Sequence, residues 1–429
     1  MELLKVDDLA EALTKLTARA ACVQPPVEET SLEQCLGRTL AADIYAEENI
    51  PAFARAVMDG YAVRAADVQG AGESIPAFLS VAGEVRMGEE AGFALGAGEC
   101  AYVPTGAMMP AGADAVVMEE YCEKASPGKI AAYKSEAPGS NVAAAGEDMK
   151  KGELVLRRGR RLKPQDLGLL AALGRAQVSV YRPYRVFIIS TGDELAGPEE
   201  EAGGGRIRDV NTYGLIGKAA AAGFVISGRQ RVKDEEELLA QAVEEGKQKA
   251  DIVVVSGGSS KGRRDVTATV IEQAASSGVF THGIAVKPGK PTILGVDEPS
   301  ATVLAGLPGH PVAALMLFEL IVGGLWRAQT GQEPRRGIRA RLSVNLPATP
   351  GRQTFQLVKL RTDVRTDGAA ANGAGAGYAG ASGGEVNIAE PVLGKSGMIY
   401  TMSRADGYIV IDKNREGLKQ GEAVEVFLF

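Results

Sequence analysis

Apolar residues recur at helical spacing at the start of the chain. Val6, Leu9, Leu13 and Leu16, with Ala10 beside them, predict an amphipathic helix, and Asp8 followed by Glu11 resembles a capping box at its start. Ser31 with Gln34 predicts a second short helix that Gly37 ends. Over residues 44–132 the pattern changes to short apolar runs broken by Gly and Pro, such as residues 77–82 and 115–118, which predicts a strand-based region. Within residues 139–178, two glycine-bounded segments precede a helix over 165–173 that Pro164 can start and Gly174 can stop.

A different alternation occupies residues 180–330. Apolar strands at 186–189, 224–226, 252–255 and 301–304 are interleaved with helical runs at 211–222, 234–249, 265–275 and 311–328. Strand and helix in turn predict a doubly wound parallel sheet, so the fold class is multidomain α/β plus β. Short β runs return at 339–345, 408–411 and 423–428. Residues 367–384 are nearly all Gly, Ala and Ser, cannot bury a core, and are expected to form a flexible surface insertion. The expected division is residues 1–43 with 140–178, residues 44–139 as an inserted β-rich domain, residues 179–331 as the α/β domain, and residues 332–429 as a terminal β domain.

Composition narrows the chemistry. Forty-seven Lys and Arg against 54 Asp and Glu leave a formal net charge of −7 over 429 residues. No global basic surface invites nucleic acid, and an anionic ligand must be held by a local patch. Two histidines exclude chemistry that rests on several of them. The four cysteines, Cys22, Cys35, Cys100 and Cys122, form no Cys-x-x-Cys pair, so a zinc ribbon, a redox dithiol and a disulfide framework are not expected, and all four read as small buried hydrophobes. The first residues lack a basic start and a long apolar run. The apolar stretch at 313–326 carries Glu319 and falls short of the ~20 residues that span a bilayer, so a cytoplasmic protein without a membrane partner is expected.

In an open α/β sheet, ligands bind outside the carboxyl ends of the strands. The segments that follow three of the predicted strands are 190–195 (STGDEL), 256–265 (SGGSSKGRRD) and 306–311 (GLPGHP), and they should converge. The second is glycine-rich, opens a helix and carries Lys261, Arg263 and Arg264, so it suits an oxyanion, or it is a turn with a solvated basic rim. Lys287 and Lys290 stand three apart in a segment stiffened by Pro288 and Pro291, which presents two ammoniums to one anion. Asp193, Glu194, Asp209, Asp234 and Asp265 supply carboxylates; for Asp234 and Asp265 a helix cap is the simpler reading. His310 has no second partner in the sequence, which favours contact over catalysis.

Seven segments in this order resemble the MoeA family of molybdopterin molybdenumtransferases, to which the carboxy-terminal domain of gephyrin is related. They are 58–63 (MDGYAV), 104–120 (PTGAMMPAGADAVVMEE), 190–195 (STGDEL), 207–211 (IRDVN), 256–265 (SGGSSKGRRD), 287–291 (KPGKP) and 306–314 (GLPGHPVAA), and they span nearly the whole chain. The resemblance implies an elongated homodimer of four domains. An amino-terminal helix packs with residues 140–178, an inserted β domain follows, and a molybdopterin-binding α/β domain precedes a β-barrel-like domain. It implies insertion of molybdate into adenylylated molybdopterin with release of AMP, dependent on Mg²⁺, the substrate coming from an upstream molybdopterin adenylyltransferase.

Carried over by position, Asp59, Thr105, Asp148, Glu194, Asp234 and Asp265 match polar active-site positions of the family, with Glu194 and Asp265 as Mg²⁺ holders. Thr191, Gly192, Asp193, Asp209, Ser256, Gly257, Gly258, Ser260 and Lys261 fall in its ligand loops, as do Lys287, Lys290, Pro308, Gly309 and Pro311. Arg352 in 351–355 (GRQTF) and Ser396 in 395–397 (KSG) match segments of its last domain. The chain departs from the family at SSKGRRD and at His310, which stands where Asn is frequent; both changes add positive charge near the pocket. A tungstate-inserting paralogue and a catalytically silent scaffold, as gephyrin illustrates, remain alternatives at this level.

Overall fold

The computed structural model describes residues 6–257, 266–364 and 385–429. The insertion expected at 367–384 lies outside them, as do Gly258, Ser260, Lys261 and Asp265.

The amphipathic pattern at the start becomes the helix Leu9–Arg19, with Ala12 and Leu16 fully buried. Its capping box does not form: Asp8 receives the Lys413 ammonium at 2.5 Å, and Glu11 pairs with Lys15 at 2.9 Å. Two intramolecular cations outcompete the helix's own N–H groups for these carboxylates. Nor does this helix pack with residues 140–178. Ala12 and Leu16 belong to the core of the α/β sheet, and Leu13 lies against Gly324 of the helix Gly323–Thr330. The second expected helix is a single 3-10 turn, Leu32–Gln34. Strands Val27–Ser31 and Thr39–Leu40 flank Gln177–Tyr181, and Ile44–Tyr45 pairs with Leu154–Leu156, beside the helix Pro164–Ala172.

Residues 60–132 form a six-stranded mixed sheet. Its strands Gly60–Val63, Glu99–Val103 and Ala115–Met118 are apolar at consecutive positions because both faces are covered. Ala62, Ala101 and Val116 enter one core; Val63, Cys100 and Val117 enter the other. Burial pushes the Cys100 and Cys122 thiols up to about 12. Cys22, by contrast, is exposed, against the expectation that all four cysteines are interior.

The α/β region forms a second six-stranded sheet in the order Val225–Val232, Arg185–Thr191, Ile252–Gly257, Thr302–Leu307, Ile293–Asp297, Val279–His282. The first four strands are parallel, as their alternation with helices predicts. The last two, absent from the sequence reading, run antiparallel to their neighbours and make the sheet mixed. The helices Asn211–Ala222, Glu236–Lys249 and Val266–Ala274 cover it. The apolar stretch Pro311–Thr330 is long and apolar enough to cross a membrane but is 72% buried. It packs as a core helix with a π turn at Phe318–Val322, and its Trp326 ring packs against Phe224 and Tyr184.

The terminal region closes into a five-stranded barrel. Gln353–Val364 pairs with both Glu385–Pro391 and Gly407–Ile411, and Ile338–Leu342 and Ala423–Leu428 complete the ring. One strand crosses over from the α/β region: Val286–Lys287 pairs in parallel with Gln353–Thr354. That pairing places the lysine-bearing turn directly on the barrel wall.

Candidate functional site

A cleft of about 1360 Å³ lies between the carboxyl edge of the α/β sheet and the barrel. Three strand ends form its floor. Ser190 and Thr191 finish Arg185–Thr191, Ser256 and Gly257 finish Ile252–Gly257, and Pro308, Gly309 and Pro311 follow Thr302–Leu307. The strand ends approach so closely that a Cβ on Gly257, whose φ is +126°, would stand 2.1 Å from the Thr191 carbonyl. Only glycine fits there.

Side-chain bonds fix the polar groups of this floor. Thr191 Oγ1 donates to Asp234 Oδ1 at 2.5 Å. The helix beyond Asp234 starts at Glu236 with no side-chain cap, so Asp234 is not the cap that its position first predicts; it is held by the neighbouring strand end. Asp193 Oδ1 accepts the Asp234 N–H at 3.4 Å. Glu194 lines the cleft, and no side-chain hydrogen bond or ion pair engages its carboxylate among the described residues. Buried Asp209 accepts the Thr212 N–H at 3.0 Å and the Ser190 hydroxyl at 3.3 Å, which makes it the anchor of the helix Asn211–Ala222 as well as a lining residue.

The opposite wall is cationic. Lys287, Lys290, Arg352 and Lys395 line it, the first two from the proline-stiffened turn and the others from the barrel region. Gly289 sits at φ +117°, where a Cβ would meet Leu317 at 2.4 Å, so the turn between the lysines is pinned against the core helix. The Gln353 N–H donates to the Ala285 carbonyl at 2.9 Å and ties Arg352 beside the lysines. His310 Nδ1 lies 2.8 Å from Ser396 Oγ, and the Val312 N–H donates to the Ser396 carbonyl at 3.1 Å, so the rim of the cleft joins sheet and barrel.

The expected site residues therefore separate. Thr191, Glu194, Asp209 and Asp234, Ser256 and Gly257, Lys287 and Lys290, Pro308, Gly309 and Pro311, Arg352 and Ser396 share one cleft. Gly192 and Asp193 stand in the turn just behind it. Asp59, Thr105 and Asp148 lie outside it, in the segments around the β-rich domain. There Asp59 Oδ1 accepts the Thr105 N–H at 2.6 Å and its hydroxyl at 2.8 Å. The backbone N–H first, and then the hydroxyl, hold the Asp59 carboxyl below the usual aspartate range. Asp148 is exposed and fixed through its backbone N–H to the Ile50 carbonyl at 3.0 Å. The cleft also contains residues that sequence reasoning did not single out: Asn211, Thr354 and Gln356. Asn211 was visible as the end of the IRDVN segment at a helix start and Thr354 as part of the GRQTF segment; Gln356 follows on the same strand, whose place beside the turn no local pattern signals.

Comparison with known proteins accounts for this architecture. Residues 7–174 match the family model of the MoeA N-terminal region (domain I and II), residues 187–327 that of a "probable molybdopterin binding domain", and residues 379–429 the MoeA C-terminal region (domain IV). The chain is 35% identical over 332 residues to a molybdopterin molybdenumtransferase of Haemophilus influenzae, covering 77% of this chain and 80% of that protein. It is 30% identical over 409 residues to one of Bacillus subtilis, covering 94% and 90%. A solved molybdopterin biosynthesis MoeA protein from Pyrococcus horikoshii superposes with a TM-score of 0.77 at 37% identity, over 99% of both chains. The chain belongs to the MoeA family, molybdopterin molybdenumtransferases of molybdenum cofactor biosynthesis.

Proposed function

We propose that the cleft binds adenylylated molybdopterin and inserts molybdate into its dithiolene, with AMP released in a Mg²⁺-dependent step. The observation that carries this reading is the division of one cleft into a carboxylate floor, Glu194 and Asp234, and a cationic wall, Lys287, Lys290, Arg352 and Lys395. Molybdate and the phosphates of the adenylylated substrate are anions, and charge-assisted hydrogen bonds from the wall would hold them. Thr191 orients Asp234, and the close strand ends exclude bulk from the floor. Catalysis in this reading is positioning and electrostatics, with no covalent protein intermediate.

The donor set fits Mg²⁺ in one way. Among the described residues no three His, Cys, Asp or Glu side chains converge on a metal position. Mg²⁺ usually takes one or two carboxylates and completes its shell with water and phosphate oxygens. Glu194, whose carboxylate on the cleft has no partner among the described residues, and Asp265, by its match to the family pattern, would hold it; bound there, it would supply charge neutralisation to the phosphate leaving group.

Asp59 and Thr105 enter this reading through a homodimer, in which the β-rich domain of one subunit reaches the cleft of the other. The exposed apolar neighbours of Asp59, Val57 at 45% and Met58 at 43%, support a covered surface there. The substrate would come from a molybdopterin adenylyltransferase, and the reaction belongs in the cytoplasm. The deciding experiment incubates purified protein with adenylylated molybdopterin, Mg²⁺ and either molybdate or tungstate and measures AMP. Release with molybdate is expected. Release with tungstate alone moves the reading to the tungsten paralogue, and no AMP with either oxyanion leaves the scaffold reading.

A further inference from the structure

Asn211 opens the helix Asn211–Ala222 at the floor of the cleft and is only 8% exposed. Both hydrogens of its amide are used: Nδ2 donates to Ser256 Oγ and to the Gly309 carbonyl, each at 2.8 Å. A carbonyl oxygen can only accept, so the bond to Gly309 decides which end of the amide is nitrogen. The other end, Oδ1, is buried and has no hydrogen-bond partner among the described residues, although Asn211 lines the cleft. A buried acceptor left without a donor is costly, and in a residue that lines a cleft a donor group of a bound ligand would relieve that cost.

The surroundings define what that donor is. Beside Asn211 stand the Gly309 carbonyl, the Pro308 carbonyl, which accepts from Ser256 Oγ at 3.4 Å, and the carboxylate of Asp209. All are acceptors, and among the described residues no lysine or arginine bonds to any of them. This part of the floor disfavours an oxyanion and favours an N–H group.

We propose that Asn211 Oδ1 accepts a hydrogen bond from the amino-heteroaromatic part of the ligand, either the N–H edge of a 2-amino-4-oxopteridine or the 6-amino group of an adenine. The ligand then lies with its donor edge on the Asn211 floor and its phosphates on the lysine wall. This rests on the functional reading above and adds to it the residue that sets ligand orientation and selects for an N–H edge. Thr354, also 8% exposed, lines the cleft with a buried Oγ1 that likewise has no partner among the described residues; it lies on the barrel side, paired through its backbone with Lys287.

The test is equilibrium binding of 6,7-dimethylpterin and of AMP, measured separately on the full chain and on Asn211→Leu. The variant is expected to bind one of the two at least tenfold more weakly and the other within twofold, the retained ligand reporting an intact fold. Loss confined to dimethylpterin assigns Asn211 to the pterin; loss confined to AMP assigns it to the adenine. Unchanged binding of both overturns the proposal. A ligand-side arm needs no variant: the N-methylated counterparts, 2-(dimethylamino)-3,6,7-trimethylpteridin-4(3H)-one and N6,N6-dimethyl-AMP, lack the donor. A site built around an N–H rejects the analogue without it, so one counterpart should bind at least tenfold more weakly than its parent to the unaltered chain. Equal binding in both pairs overturns the proposal while leaving the functional reading intact. An unaltered chain that binds neither dimethylpterin nor AMP overturns the functional reading and this inference with it.

Discussion

His310 Nδ1 and Ser396 Oγ lie 2.8 Å apart across the rim of the cleft, one on the loop that leads into the core helix and the other on the barrel side. The pair is exposed, so deleting one partner removes about 0.5–1.5 kcal/mol at most. The Val312 N–H to Ser396 carbonyl bond survives either deletion. His310→Ala and Ser396→Ala should therefore melt within about 2 °C of the parent, while AMP affinity falls severalfold as the rim loosens. Calorimetry and AMP titration check the two halves; an unchanged affinity removes the rim contact from ligand retention.

Lys287 and Lys290 stand exposed on the cleft wall and hold no ion pair among the described residues. Lys287→Gln should leave the melting temperature within about 2 °C and weaken AMP binding about tenfold, the scale of one charge-assisted bond. Because the attraction is between ions and is screened, the variant should also show a shallower dependence of affinity on salt. Titration at two ionic strengths reads both.

Asp59 titrates below the ordinary aspartate range because Thr105 donates to its charged form. Its folded-state pKa is lowered, so its contribution to stability is complete above the unfolded value, about pH 4, and is lost as pH falls through the lower folded value. Thr105→Val keeps the backbone donor and deletes the hydroxyl. The Asp59 pKa, followed by NMR, should rise partway toward the ordinary value; a rise all the way would give the whole effect to the hydroxyl and contradict the leading role of the backbone N–H.

Gly257→Ala forces a Cβ to 2.1 Å from the Thr191 carbonyl at a φ of +126°. The carbonyl is backbone at a strand end and the Cβ is fixed directly to the backbone, so neither can swing away. A loss of about 2 kcal/mol or more is expected in chemical denaturation, with strain of this kind ordinarily costing about 1–3 kcal/mol before the clash is added. Ligand binding should be lost as well, since the displaced strand ends carry Thr191 and Ser256.

Glu319 is buried in the π turn of the core helix, paired to Lys218 at 2.7 Å and to Arg335, whose guanidinium also donates to the Leu428 carbonyl at 3.0 Å. One carboxylate thus joins the α/β sheet to the barrel. Glu319→Gln leaves two cations facing a neutral group. It should cost about 1–3 kcal/mol in denaturation, below the 3–5 of a fully buried pair because Arg335 is partly solvated.

Where local pattern alone dictates structure, sequence and fold agree closely. The helix expected at 211–222 spans those same residues, because its apolar periodicity, an Asp before its start and Gly223 after its end point the same way. The strands Val279–His282 and Ile293–Asp297 escaped notice for the opposite reason: they are short and interrupted by polar residues or glycine, and they exist because the sheet edge offers them a partner. Asp8 and Asp234 teach the same lesson for single residues. Each stands at a cap position in sequence, yet each spends its carboxylate on a group far along the chain, Lys413 and Thr191.

The lysine turn, the glycine-rich strand ends and the carboxylates that follow them were readable one by one, since each depends on chemistry within a few residues. Their assembly into one cleft was not. It depends on Val286–Lys287 leaving the α/β region to pair with Gln353–Thr354 of the barrel, which brings Arg352 beside the lysines, and on Asn211 spending both amide hydrogens on Ser256 and Gly309 so that its oxygen is left for the ligand. Those are contacts between segments tens to about a hundred residues apart, set by the geometry of strand pairing and burial, and spacing along a chain carries no record of them.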